Sequence, residues 1–125
     1  MATTSRFAGG ENNDNTYRIL THQDQAPAYA ASIAITTKEY STTVMPAQLT
    51  GALTLTIGVG TSTTAPMKGD IVRFVFSADG TNRVVTFSTG FQSAGTLTVV
   101  ASKFGSASFM FNGTAWIETG RALTA

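Results

Sequence analysis

Ser108-Phe109-Met110-Phe111-Asn112-Gly113-Thr114-Ala115-Trp116-Ile117-Glu118 carries the tightest strand–turn–strand pattern in the chain. Two strand-like runs flank Asn-Gly, the pair that most readily supplies the positive φ of a two-residue type I′ loop. Such a loop sets Phe111 opposite Thr114 and Phe109 opposite Trp116, with the aromatic rings on one side of a hairpin. Working outward, Asp70 to Ser77 places Val72, Phe74 and Phe76 on one face and Arg73 on the other, the period of a half-buried strand. Ile71 and Val75 are apolar too, so the second face is expected to be half covered. Asp79-Gly80 with Asn82 then reverses the chain into Arg83 to Ser88, with Val85 and Phe87 on one face; these two runs are expected to form a second hairpin. Gly95 to Val100 reads as a further strand.

Upstream, Ser32 to Thr36 and Tyr40 to Met45 carry β patterns, the latter stopped by Pro46. In Leu49 to Gly58, Leu53, Leu55 and Ile57 alternate with Thr54 and Thr56, which predicts an antiparallel strand with one core face and one hydroxyl-lined face. Val59 to Lys68, rich in Thr, Ser and Gly, reads as a surface loop. About eight short strands at regular spacing predict an all-β, antiparallel, jelly-roll-like β-sandwich over residues 32–125. Residues 1–31 differ. The polar tract Gly9 to Asn15, a short run at Thr16 to Thr21 and an irregular Gln23 to Ala31 around Pro27 predict an extended N-terminal arm. Its apolar residues are too sparse for a core of their own, so Arg6, Phe7, Tyr17, Arg18, Ile19, Leu20 and Tyr29 are the candidate interface residues.

Composition narrows the chemistry. The chain has 125 residues, length for a single stable core, and no cysteine, which removes thiolate catalysis, disulfides and cysteine metal sites. Charged residues make up 12% and the net charge is +1, so no basic stripe for nucleic acid is expected. No apolar run approaches the ~18 residues of a membrane span, and Met1 to Arg6 leads into polar sequence rather than a signal core, so a soluble, unexported protein is expected.

Catalytic constellations are sparse. His22, the sole histidine, sits beside Asp24 in the arm and reads as a solvated or interface residue. Asp70, Asp79 and Glu118 would be the carboxylates for acid–base work, but they fit a strand start, a turn and a strand position near Arg121. Asn12 to Asn15 lacks calcium-loop spacing, and Gly58-Val59-Gly60 has no following helix to bind phosphate. Asn112-Gly113-Thr114 is formally a glycosylation sequon, explained by the turn. Trp116 and Tyr40 could stack a sugar, although a sole Trp opposite Phe109 is expected in the core. The expectation is a non-enzyme without metal or cofactor.

Gly69 to Arg121 resembles a module of bacteriophage structural proteins. The resemblance is carried by Gly69-Asp70, Asp79-Gly80-Thr81-Asn82-Arg83-Val84-Val85-Thr86-Phe87, Thr89-Gly90-Phe91, Gly95-Thr96, Ser102-Lys103, the run Phe111 to Glu118, and Arg121. It covers under half of the chain and consists mostly of turn chemistry. Similar modules occur in capsid decoration (cement) proteins and tail appendages, assembled as trimers. The resemblance implies a β-sandwich without catalytic residues. A compact body plus an arm, with no shaft, fits the decoration group. The expected role is a homotrimer on the outer capsid surface of a virion assembled in the host cytoplasm, bound to the major capsid protein and to neither nucleic acid nor membrane. The alternative is a tail appendage or carbohydrate-binding module for host recognition.

Overall fold

The computed structural model describes residues 21–60 and 66–124. Among them there are ten strands and no helix: β1 (His22–Gln25), β2 (Ser32–Ile35), β3 (Ser41–Val44), β4 (Leu53–Ile57), β5 (Ile71–Ser77), β6 (Arg83–Phe87), β7 (Phe91–Gln92), β8 (Leu97–Val99), β9 (Phe104–Phe111) and β10 (Trp116–Leu123). They form a six-stranded sheet, β1-β3-β5-β9-β10-β7, and a four-stranded sheet, β2-β4-β6-β8. The two pack face to face as an all-β sandwich, as the alternating pattern predicts.

Between them lies a core set by that alternation. Val72, Phe74 and Phe76 of β5, Phe109 and Phe111 of β9 and Trp116 point inward from the larger sheet. Leu53, Leu55, Ile57, Val85, Phe87, Leu97 and Val99 point inward from the smaller. Phe87 is the bridge between sheets, its ring centroid 5.0 Å from Phe109, 5.4 Å from Phe91, 6.0 Å from Phe74 and 6.3 Å from Phe76.

Strand direction departs from the antiparallel, jelly-roll-like expectation, because the sheets are mixed. β1-β3-β5 and β2-β4-β6 are parallel throughout, as is β7 with β10. Only β5-β9, β9-β10 and β6-β8 are antiparallel. The cause is the connections. From β1 to β6 each reversal carries the chain to the opposite sheet, so alternate strands run in one direction and lie side by side. The turn after β5 shows this: Asp79-Gly80 does reverse the chain, but β6 faces β5 across the core instead of pairing with it. Arching lets both apolar faces bury each other, whereas a hairpin would keep them in one sheet. For the same reason Leu53–Ile57 is parallel, not antiparallel, to both neighbours.

The 108–118 hairpin is present with a different register. The loop spans four residues, closed by Asn112 N–H donating to the Ala115 carbonyl at 3.1 Å. Asn112 Oδ1 accepts from the N–H groups of Thr114 and Ala115, both at 2.9 Å, and Gly113 takes φ 102°. Trp116 therefore pairs with Phe111, ring centroids 5.2 Å apart, and Phe109 is opposite Glu118. The asparagine side chain, rather than a tight I′ turn, organises the reversal.

His22–Gln25, expected to be irregular, is an edge strand of the larger sheet. It was illegible because it contains no apolar residue; a backbone ladder to β3 holds it, with Gln25 Nε2 donating to the Thr36 carbonyl at 2.9 Å.

Candidate interaction surface

Alternation that sends one face of each strand inward also fixes what the other face presents. On the outer face of the six-stranded sheet, register aligns Ile71, Met110 and Ile117 in a row across β5, β9 and β10. Asp24, Thr43, Arg73 and Ser108 form the next row. Val75 lies beside Ser106, Phe104 beside Ser77, and Met45 continues the alternation past β3. Met45, Val75, Phe104 and Met110 are 47, 37, 54 and 42% exposed. The face thus carries exposed apolar side chains on both sides of the row that holds Arg73. Among the described residues no ion pair involves Arg73. The opposite outer face is unlike it. Ser32, Ala34, Thr54, Thr56, Val84, Thr86 and Thr98 cover the smaller sheet without a charge, as the Thr54/Thr56 alternation predicts. Large apolar groups gathered on one face mark a contact site more than the same groups scattered singly.

Of the interface residues expected from sequence, Arg6, Phe7, Tyr17, Arg18, Ile19 and Leu20 lie outside the described residues. Tyr29 is half-buried against the sandwich's own core, and its hydroxyl donates to the Ala52 carbonyl at 2.7 Å. The outer-face residues Met45, Phe104 and Met110 escaped the sequence reading because period-two patterns single out the inward set. Val75 and Ile71 carried the available signal as apolar residues on the wrong side of a strand.

His22 Nδ1 is 2.9 Å from Ser41 Oγ and its Nε2 is 2.8 Å from Asp24 Oδ1, an exposed cluster on the sheet rim with side chains 45% and 73% exposed for His22 and Asp24. Asp70 is buried and accepts from Met67 N–H at 3.0 Å, closing the turn before β5. Asp79 takes two bonds from Arg83, both 2.9 Å, and this guanidinium holds its carboxyl below the ordinary carboxylate range. Among the described residues no group of three or more His, Asp or Glu is placed to hold a metal. Trp116 is fully buried, its Nε1–H donating to the Gly58 carbonyl at 3.1 Å.

A shallow depression of about 460 Å³ lies beside β10 at Gln92, Ala94, Glu118 and Arg121. Its charges serve each other. Arg121 Nε donates to Glu118 Oε2 at 2.7 Å, while its terminal nitrogens reach the Gly95 and Thr96 carbonyls at 2.9 Å each. Ala94 N–H donates to Glu118 Oε1 at 2.7 Å. The pair therefore staples the 93–96 turn to β10 past a bulge between Glu118 and Gly120. Arg121 holds the Glu118 carboxyl below its ordinary 4.5, burial opposing and the Ala94 N–H assisting. Because the folded value is lowered, the stabilisation is complete above about pH 4.5 and is lost as pH falls through the lowered value. Glu118→Gln is expected to cost roughly 1–2 kcal/mol at neutral pH and to converge with the wild type in acid. Urea midpoints at pH 7, 4 and 3 check this; a difference that stays constant with pH would refute it.

No family model matches the chain, and no curated protein matches it.

Proposed function

We propose that this chain is a bacteriophage head decoration (cement) protein, a homo-oligomer, trimeric by the resemblance, that binds the major capsid protein on the outer surface of the virion and stabilises the shell. The observation that carries the reading is the apolar outer face of the six-stranded sheet, with Met45, Val75, Phe104 and Met110 exposed around Arg73. Burial of apolar area supplies roughly 25 cal/mol per Å², and arginine with large apolar groups is enriched where proteins meet. The second support is the resemblance of Gly69 to Arg121 to phage structural modules. A clamp of this kind needs no bond-making step: many weak contacts, repeated over a shell, add by multivalency. Residues 1–20 would extend the contact, since Phe7, Tyr17 or Ile19 could each add roughly 1.5–3 kcal/mol when fully buried.

Shells assembled without this chain provide the test. Met110→Lys, and separately deletion of residues 1–20, are each expected to weaken binding at least about tenfold, the equivalent of about 1.4 kcal/mol. Wild-type protein that does not sediment with shells would sink the reading. Wild-type affinity in both variants would show that neither the face nor the arm is the anchor.

A further inference from the structure

We propose that the outer edge of β2 is a self-association edge, on which the β2 strand of a second copy pairs antiparallel about a two-fold axis. Only one side of β2 is paired: it runs parallel to β4 from Ser32↔Thr54 to Ile35↔Ile57 and ends the four-stranded sheet. The Ala31 and Ile35 carbonyls accept from Thr54 and Gly58 N–H at 2.9 and 3.1 Å, so the odd positions turn toward β4. Ser32 and Ala34 therefore direct N–H and C=O away from the sheet, and among the described residues no backbone bond meets them. At the far end the Thr36 carbonyl is already taken by Gln25 Nε2. Unpaired backbone groups in an extended row are matched by another strand.

The other three edges are blunted. β1 carries His22 and Asp24, β7 has two residues, and β8 has three, with the Thr96 carbonyl before it held by Arg121. β2 is longer than β7 and β8 and, unlike β1, uncharged; it is proline-free and edged by the small side chains of Ser32 and Ala34, with Ile33 and Ile35 already sealing the core beneath. A second copy suits it because an edge strand meets itself antiparallel without a complementary sequence, as an isologous contact. A net charge of +1 offers little repulsion between copies. Pairing would join two four-stranded sheets into one of eight. Being two-fold, the contact cannot close a three-fold ring; it joins copies, or whole oligomers, in pairs. The inference rests on the homo-oligomer part of the reading above.

Sedimentation of the 125-residue chain over a concentration series tests it, together with amide exchange at Ser32 and Ala34. Ala34→Pro deletes an N–H that faces away from β4, so the protein's own ladder survives; Ala34→Lys places a charge at the same point. Wild-type chains are expected to pair as concentration rises, with exchange at Ala34 slowed at least about tenfold, and both variants to raise the dissociation constant at least about tenfold. Should the proline variant not fold, judged by the near-ultraviolet signal of buried Trp116, the lysine variant decides. A wild type that stays single at every concentration overturns the inference. So does an oligomer unchanged by the substitution, in which case homo-oligomerisation stands and this edge falls. Shell binding is measured separately, so failure here is distinguishable from failure of the decoration reading.

Discussion

Phe109→Ala is expected to lower the unfolding free energy by about 3–5 kcal/mol, enough to leave a domain of this size marginal or unfolded. Phe109 is fully buried, and its ring lies 4.8 Å from Phe91, 5.0 Å from Phe87 and 5.9 Å from Phe74. Phe91 and Phe74 share its sheet while Phe87 comes from the other, so the cavity would open between the sheets, where neither backbone can close it alone. Phe109→Leu keeps most of the volume and is expected to recover over half of the loss. Urea unfolding followed by the fluorescence of the single tryptophan measures both. A loss below about 1 kcal/mol for alanine would show that the aromatic cluster does not hold the sheets together.

Gly90→Ala is expected to cost about 3 kcal/mol or more, although it adds one methyl group to a turn. Gly90 has φ 94°, where a side chain is strained by roughly 1–3 kcal/mol. A Cβ at Gly90 would also collide with the backbone carbonyl oxygen of Ile57, which cannot swing aside. That backbone is fixed by Ile57 N–H donating to the Thr89 carbonyl at 2.9 Å, and Gly90 in turn accepts from Trp116 N–H at 2.9 Å. The residue is where β4, β7 and β10 meet. Gly80→Ala serves as the comparison, because nothing lies within 4 Å of its added methyl; its change is expected within about 1 kcal/mol, in either direction. Equal effects at the two glycines would remove the close-approach argument.

Both substitutions act at contacts between elements that the sequence leaves far apart, and the same division runs through the fold and the candidate surface. Phe109 and Phe87 are each legible as inward-facing from their own strands, yet nothing local says that they meet. Asp79-Gly80 is legible as a reversal. Whether a reversal makes a hairpin or an arch depends on where the two apolar faces find cover, and here they cover each other. His22–Gln25 was illegible because β1 is held by backbone bonds, which any sequence can make. The outer face is an intermediate case: Ile71 and Val75 signalled a half-covered second face, of which Val75 is left exposed among the described residues, while Met110 and Phe104 gained meaning only when register set them beside β5.

The all-β class, the inward residues of β4, β5, β6 and β9 and the hydroxylated face at Thr54 and Thr56 were legible in the amino-acid sequence; the Glu118–Arg121 pair was not, because residues three apart on a strand face opposite sides until the bulge between Glu118 and Gly120 turns them together. What was legible follows from period-two alternation, which is a local quantity. Strand order, parallel pairing, the four-residue register at Asn112–Ala115 and the gathering of apolar side chains around Arg73 were decided by tertiary structure alone. They depend on which sheet each strand joins. That choice is made by packing the two apolar faces against one another over long sequence separations, a demand that no single segment records.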